Sequence, residues 1–280
     1  MKKITRRSFL AAAGLSVAAL ALTACGGSSS SVASSVASSA AASSEAASTS
    51  AAAGELTTVE AGKLTMATNA TFPPYEMTTD AGDIEGIDVE TAQAIADKLG
   101  LELQIDDMDF DAALLSVQQG TAAIVMAGVT VTDERKAVMD FSDSYATGIQ
   151  SIIVPEGSDI ASPDDLAGKK IGTQRGTTGY IYCSDDFGDD NVVAYDDGLT
   201  AVQALNNGQV DAVVIDNAPA KEFVAANPGL VILDTSYAEE DYAIGMAKGS
   251  SLEDAVNAVL EELKADGTLQ SIVDKYITAE

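Results

Sequence analysis

The chain has 280 residues, of which 46% are hydrophobic, so it is long enough to form one or two domains with well-packed cores. Its 43 acidic and 15 basic residues give a net charge of −28, which excludes nucleic acid and anionic lipid headgroups as partners. It has no histidine and only two cysteines, far apart, which removes the common catalytic triads, most zinc sites and a disulfide framework. We therefore expect binding rather than catalysis, with no metal and no cofactor.

The N-terminus has the pattern of an export signal. Residues 1–24 combine a basic start with an apolar stretch too short for a transmembrane helix, which predicts a signal peptide. Thr5–Leu10 resembles a twin-arginine signal, and an ordinary secretory route is equally open. Leu22–Cys25 resembles a bacterial lipobox, which predicts a lipid on Cys25 and an extracytoplasmic protein anchored to the cell membrane. The alternative is an ordinary secreted protein with a chance cysteine.

Residues 25–61 follow the predicted cleavage site. They are rich in Ser, Ala and Gly and show no apolar periodicity, which is typical of a flexible tether. A lipid followed by a tether of this length predicts a domain that works beside a membrane and not inside it.

From residue 62 onward, short apolar segments alternate with amphipathic ones, which is typical of an α/β fold. The helices are expected to begin at polar caps and to end at glycines. In chain order, the predicted elements are strand Leu64–Ala67, helix Asp88–Leu99, strand Leu101–Ile105, helix Asp111–Gln118, strand Ala122–Met126, a helix capped at Ser162, a helix beginning at Thr177–Gly179 and helix Leu252–Lys264.

Two pairs of segments repeat the same layout. Gln119–Gly128 and Asn207–Asp216 each combine a helix end, a turn and an apolar strand, and Lys63–Phe72 and Lys170–Gly179 each run from a strand into a loop. Two similar α/β lobes would explain both pairs. Ligands bind at the carboxyl ends of strands in such sheets, which indicates the residues where these segments end. These residues are Phe72, Gly128, Thr177–Gly179 and Asp216.

Arginine is scarce after the leader, where only Arg135 and Arg175 occur. Arg135 follows Gly128, which permits close approach of a ligand to the backbone, and Thr130, whose hydroxyl could donate a hydrogen bond. An arginine fork with such donors suits a carboxylate. An equally acceptable interpretation is that Arg135 only pairs with one of the acids Asp133, Glu134 and Asp140.

The segment Ala127–Tyr145 resembles the signature of the family 3 extracellular solute-binding proteins, which serve polar amino-acid ABC transporters. Similar segments continue from Lys63 to the C-terminus: Ala67–Glu76, Gly86–Glu90, Met108–Val117, Gly168–Tyr180, Asp211–Asn217 and Ala265–Tyr276. The resemblance implies an α/β fold of the two-lobe periplasmic-binding-protein type II, or Venus flytrap, with two crossover hinge segments. Lobe 1 would comprise residues 62–147 and 243–280, and lobe 2 residues 148–242.

The resemblance also implies an amino-acid site between the lobes. Arg135 would bind the ligand α-carboxylate with Thr130 and the N–H of Thr178, and Asp216 would bind the α-ammonium. Two phenylalanines would sandwich the ligand side chain, although Phe110 alone would suit the core. The complete predicted set is Asn69, Phe72, Phe110, Gly128, Thr130, Arg135, Gln174, Thr177, Thr178 and Asp216.

The implied function is that of a monomeric substrate-binding component that delivers a free amino acid to an ABC permease. Asn69, Gln174 and Ile215 occupy positions that carry charged residues or histidine in some members, which implies a neutral polar ligand. The alternatives on the same scaffold are a cyclohexadienyl dehydratase and a sensory amino-acid-binding domain. Cys183 is interpreted as a buried residue, and Ser184–Asn191 as a solvated loop and not a calcium site.

Overall fold

A computed structural model describes residues 56–277. The predicted signal peptide, Cys25 and most of the predicted tether lie outside this range. Where the described chain begins, Leu56 packs against the core and the N–H of Thr57 donates to Ser251 Oγ at 3.2 Å. Between residues 56 and 277, no helix is both long and apolar enough to cross a membrane.

The described residues form 14 strands and eight α-helices. The strands are β1 (Lys63–Thr68), β2 (Thr71–Phe72), β3 (Glu76–Thr78), β4 (Ile84–Glu85), β5 (Glu102–Asp107), β6 (Ile124–Val125), β7 (Met139–Phe141), β8 (Ala146–Pro155), β9 (Ile171–Gln174), β10 (Val192–Tyr195), β11 (Ala212–Asp216), β12 (Leu230–Ile232), β13 (Ala238–Tyr242) and β14 (Gly245–Ala247). The helices are α1 (Ile87–Leu99), α2 (Phe110–Gln118), α3 (Asp133–Val138), α4 (Thr178–Phe187), α5 (Gly198–Asn206), α6 (Asn217–Ala226), α7 (Glu253–Ala265) and α8 (Thr268–Tyr276).

Two sheets with matching topology form the centres of two lobes. The first has the order β5-β1-β6-β14-β7, and the second has the order β10-β9-β11-β8-β12, with β13 paired to β8. In each sheet the first three strands are parallel and the fourth is antiparallel. Strand β1 therefore corresponds to β9, and β6 to β11. The two pairs of repeated segments in the sequence therefore correspond to equivalent strands and loops in the two sheets.

The chain crosses between the lobes twice. It passes from β7 in the first sheet to β8 in the second, and it returns from β13 to β14. Strands β8 and β13 pair antiparallel, from Ala146 opposite Tyr242 to Gln150 opposite Ala238. The crossover segments are thus held side by side, which is the arrangement of a hinge. The exact lobe boundaries at residues 147/148 and 242/243 stay a prediction.

The helices pack as their apolar spacing predicts. Helix α7 buries Val256, Val259, Leu260 and Leu263, and Gly100 ends α1 in the left-handed conformation that glycine adopts readily. Cys183 is fully buried in the core of the second lobe, as expected.

Three local predictions differ from the structure. The strand expected at Ala122–Met126 is limited to Ile124–Val125, although the N–H groups of Ala123 and Met126 on either side also donate to carbonyls of β1. Ser162 caps a four-residue 3₁₀ helix and not an α-helix, since the chain turns at Gly168 with φ +76°. Half of Ser184–Asn191 is not a loop: α4 continues to Phe187 and ends only at Gly188, where φ is +83°.

Candidate functional site

A cavity lies between the two lobes. All ten residues of the predicted set line it, and they lie at or beyond the carboxyl ends of β1, β6, β9 and β11, except for Phe110, which begins α2 after β5. The structure therefore brings together residues that are up to 147 positions apart, from Asn69 to Asp216. Five further residues complete the lining, and they are Glu76, Ala127, Gln150, Val214 and Ile215.

Arg135 is positioned by the short helix α3. The Thr132 side chain caps this helix and accepts the backbone N–H of Arg135 at 3.1 Å. The guanidinium is buried, and it donates to the carbonyl oxygens of Thr130 at 2.8 Å and of Gly176, in the other lobe, at 3.1 Å. A guanidinium has five N–H donors, so these bonds fix its position and leave donors for a ligand.

The alternative role for Arg135 was an ion pair with a neighbouring acid. Among the described residues Arg135 makes no ion pair, and Asp140 instead pairs with Lys248 at 2.6 Å. Burial lowers the pKa of Arg135 from its usual value, and nearby Glu240 opposes this shift. Because arginine remains charged in proteins, the cavity wall carries a fixed positive charge without a direct carboxylate partner.

The N-terminus of α4 provides backbone donors beside Arg135. The Thr177 side chain caps the helix, since it accepts the N–H of Tyr180 at 3.3 Å and donates to the carbonyl of Gln174 at 2.8 Å. The N–H of Thr178 has no acceptor among the described residues. Free N–H groups at a helix N-terminus favour an anion. Arg135 and α4 together are thus suited to a carboxylate.

Asp216 lies at the end of β11 and is 8% exposed. Its Oδ2 accepts from Gln150 Nε2 at 2.8 Å, and its Oδ1 has no partner among the described residues. Burial raises the pKa of Asp216 to about 7, while the side chains of Tyr242 and Gln150 act in the opposite direction. A cationic group placed against the free oxygen would offset the cost of burying this carboxylate. Asp216 is therefore suited to an ammonium.

Glu240 connects the two lobes at the cavity, and the sequence interpretation gave it no role. Its Oε2 accepts from the hydroxyls of Thr130 at 3.2 Å and Thr178 at 2.9 Å, and from Gln150 Nε2 at 3.0 Å. Each hydroxyl has a single proton, so both oxygens can present lone pairs to a ligand. The donor role expected for Thr130 is thus occupied by Glu240 in this structure.

Glu240 was missed because it lies in a run of three acids, Glu239–Asp241, that looks like solvated surface. The pairing of β13 with β8 buries Glu240 and leaves its two neighbours exposed. The only signal in the sequence that could have indicated its burial is the alternation of side chains along a strand. That signal can be used only once the segment has been assigned as a strand.

The side chains that could contact a ligand side chain form a separate part of the lining. Asn69 Oδ1 accepts from Gln174 Nε2 at 2.8 Å across the cleft, and Asn69 Nδ2 donates to the carbonyl of Met108 at 2.9 Å. Phe72 and Phe110 both line the cavity and are both buried. Phe110 also packs within the core of the first lobe, so its two interpretations are compatible.

Gly128 allows the backbone to approach Phe72. Its φ is +54°, and a Cβ at this position would lie 2.9 Å from the Phe72 ring. Its N–H donates at 3.0 Å to the buried carboxylate of Asp88. Any larger residue would clash with this ring and strain the backbone.

The model of the bacterial extracellular solute-binding proteins, family 3, matches residues 64–279. L-cystine-binding protein TcyJ of Escherichia coli K12 is 33% identical over 226 residues, which cover 79% of this chain and 85% of that protein. Arginine-binding extracellular protein ArtP of Bacillus subtilis is 33% identical over 228 residues and covers 78% of this chain and 87% of its own.

Solved structures give the same result. An ancestral arginine-binding protein bound to arginine is 41% identical with a TM-score of 0.74, covering 77% of this chain and 98% of its own. The same kind of protein bound to glutamine is 40% identical with a TM-score of 0.74, covering 78% and 99%. The predicted two-lobe type II fold is confirmed, the relatives are amino-acid-binding proteins of ABC transporters, and the family is described as extracellular. This chain belongs to family 3 of the bacterial extracellular solute-binding proteins.

Proposed function

We propose that this protein is the substrate-binding component of an amino-acid ABC importer, tethered to the outside of the cell membrane through a lipid on Cys25. It binds a free L-amino acid between its lobes as a monomer and delivers it to the permease. The observation that carries the proposal is that Arg135, the N-terminus of α4 and Asp216 line one interlobe cavity. A cationic fork and a carboxylate in one cavity match the two charges that every free amino acid carries.

The binding geometry follows from the free atoms of these groups. The ligand α-carboxylate accepts from Arg135 and from the N–H of Thr178. The α-ammonium donates to Asp216 Oδ1, to the carbonyl of Gly128 and to the hydroxyl oxygen of Thr130, whose proton goes to Glu240. Each ligand charge is thus neutralised where burial makes an unpaired charge most costly.

Binding favours the closed arrangement of the lobes because the ligand contacts both. Arg135 and Thr130 belong to the first lobe, whereas Thr178 and Asp216 belong to the second. Direct bonds already cross the cleft, from Arg135 to Gly176, from Thr130 to Glu240 and from Gln174 to Asn69. A ligand that adds contacts to both lobes shifts the equilibrium further towards closure. The permease then recognises the closed form.

The ligand side chain lies against Asn69, Gln174 and the two phenylalanines. We propose a polar side chain that donates hydrogen bonds and is neutral, as Asn69, Gln174 and Ile215 imply. Relatives are named for cystine and arginine, and one ancestral relative was solved with arginine and with glutamine. These names support an elongated polar side chain.

A thermal-shift screen against the twenty amino acids and cystine tests the proposal. A ligand at about 100 times its Kd adds about 2.7 kcal/mol to the free energy of unfolding, which raises Tm by roughly 5–10 °C in a protein of this size. The D-enantiomer of the best ligand is the matched control and should give no shift, because it exchanges the positions of the ammonium and the side chain. The absence of a shift with every amino acid, or turnover of prephenate or arogenate, would contradict the proposed function.

A further inference from the structure

The carboxyl group of Glu76 is the cavity feature that the binding of an amino-acid backbone leaves unused. Glu76 is the first residue of β3, it is 0% exposed and it lines the cavity. Neither of its oxygens has a hydrogen-bond partner among the described residues. A buried carboxylate without partners costs several kcal/mol, so this side chain requires either a proton or a ligand.

Asp88 lies directly behind Glu76. It is the second residue of α1, and Gly86 allows this helix to begin against the Tyr75–Glu76 peptide, since a Cβ at Gly86 would lie 2.1 Å from the Tyr75 oxygen. The N–H of Asp88 donates to the same oxygen at 2.9 Å. Asp88 is also 0% exposed, with Oδ2 bonded to the N–H of Gly128 and Oδ1 unpartnered.

Among the described residues, no basic side chain forms an ion pair with these two acids. The groups that face the pair from the packed elements are the hydroxyls of Tyr75 and Tyr145 and the carboxylate of Asp107, and across the cavity lie Arg135, Glu240 and Asp216. Two carboxylates cannot both be charged at such a site, so one proton is shared between them.

The proton resides mainly on Glu76. Burial raises the pKa of Glu76 well above its usual value, and Asp88 raises it further. Burial also raises the pKa of Asp88, but only to about 6, because the N–H of Gly128 and the hydroxyl of Tyr145 stabilise its charge. In the empty cavity, Glu76 is thus the neutral acid of the pair and Asp88 is its carboxylate.

We propose that the Glu76–Asp88 pair determines how the cavity accepts the charge of a ligand side chain, by retaining its shared proton opposite a neutral side chain and releasing it to solvent opposite a positive one. On release, the O–H bond of Glu76 breaks, the proton passes to the buffer and the ligand stays protonated. A cationic side chain then faces a carboxylate in place of an acid. The cavity can accept both ligand classes without burying an unpaired charge. This inference rests on the proposed amino-acid-binding function.

Calorimetric titration of the purified full-length protein with L-arginine and L-citrulline tests the proposal. Citrulline has the same length as arginine but is neutral. Binding enthalpies are measured at about pH 7 in phosphate and in Tris, whose ionisation enthalpies differ, so that their difference counts the protons released. Asp216 contributes equally for both ligands, because both carry the same ammonium group, and its contribution cancels in the comparison.

We expect arginine to release about one proton more than citrulline, and its affinity relative to citrulline to rise up to about tenfold per pH unit while the pair still holds its proton. Equal proton release by the two ligands overturns the inference. The inference is also overturned if the protein binds another amino acid but does not bind arginine. Failure to bind any amino acid refutes the proposed function itself, so the two failures are distinguishable.

The Glu76→Gln variant adds a second measurement. A glutamine cannot release a proton, so the variant should lose arginine affinity at least about tenfold more than citrulline affinity, and its two ligands should release equal numbers of protons. Glu222→Gln, which changes an exposed glutamate on α6, is the matched control and should behave as the wild type. The inference is overturned if Glu76→Gln has the same ratio of arginine affinity to citrulline affinity as the wild type. The wild-type titration decides the question even if this variant does not fold.

Discussion

The polar groups of the cavity fall into two regions that are held in different ways. Arg135, Thr178 and Asp216, which we propose to bind the common part of an amino acid, are fixed by backbone carbonyls, a helix cap and the amide of Gln150. Asn69 and Gln174, at the proposed side-chain region, bond to each other across the cleft as well as to the carbonyls of Met108 and Asp196, and Glu76 has no partner. The first region is rigid, while the second can exchange its partners when a ligand enters.

This difference has a physical basis. Groups that bind the α-carboxylate and α-ammonium face the same ligand atoms whatever the amino acid, so fixed positions lower the cost of binding. Groups that contact the ligand side chain must first break their bonds within the protein. Each therefore contributes only the difference in free energy between its bond to the ligand and its bond to the protein partner. Substitutions in the first region should therefore affect every ligand strongly, and those in the second should act weakly or selectively.

The largest effect is expected for Arg135→Ala. Loss of the charge-assisted bonds to the ligand carboxylate in a buried cavity should weaken binding of every amino acid about 1,000-fold, measured by calorimetry. Arg175→Ala is the matched control, because Arg175 is exposed and pairs only with Asp196 at 3.5 Å, so its affinity should equal that of the wild type. A melting curve checks that both variants fold. A loss of affinity below tenfold in a folded Arg135→Ala protein would show that Arg135 is not one of the groups that bind the ligand carboxylate.

Asp216→Asn should weaken binding about 100-fold and at the same time stabilise the empty protein. The folded-state pKa of Asp216 is raised to about 7 from 3.8, so the folded protein binds this proton more tightly than the unfolded chain does. Its ionised form therefore destabilises the fold increasingly as pH rises from about 4 to about 7, by on the order of 4 kcal/mol above that range. Asparagine removes this cost.

The measurement is Tm without ligand at about pH 8 and about pH 4. Asp216→Asn should melt roughly 8–16 °C above the wild type at the higher pH and at nearly the same temperature at the lower one. The exposed Asp274→Asn, on α8, is the matched control for the change of residue type. A variant that is no more stable than the wild type at about pH 8 would show that Asp216 is not a strained carboxylate in the empty cavity.

The smallest effect is expected for Gln174→Ala. This change removes a bond across the cleft to Asn69 at 2.8 Å and a weaker one to the carbonyl of Asp196 at 3.3 Å. Such bonds contribute about 0.5–1.5 kcal/mol each, so affinity should fall about three- to tenfold. Gln203→Ala, at an exposed position on α5, should leave the titration unchanged. A loss as large as that of Arg135→Ala would mean that the two regions do not differ.

Much of the fold could be predicted because its signals are local. Helices α1, α2 and α7 follow the spacing of their apolar residues, and the repeated strand–loop segments anticipate two sheets of the same topology. The predictions that differ are short. A two-residue strand such as β6 and a 3₁₀ turn such as Pro163–Leu166 are decided by single hydrogen bonds and not by a periodic pattern.

The sequence by itself determined the α/β class, the acidic surface and, through its segment resemblance, the residues that gather at the cavity. Only the tertiary structure decided which acids are buried there. Glu240 lies in an acidic run and Glu76 in a turn motif, and neither differs locally from a solvated glutamate. Both become buried because strand pairing and the start of α1 enclose them. Burial is a property of the packed chain, and it is burial that changes a carboxyl group from surface charge into a binding group.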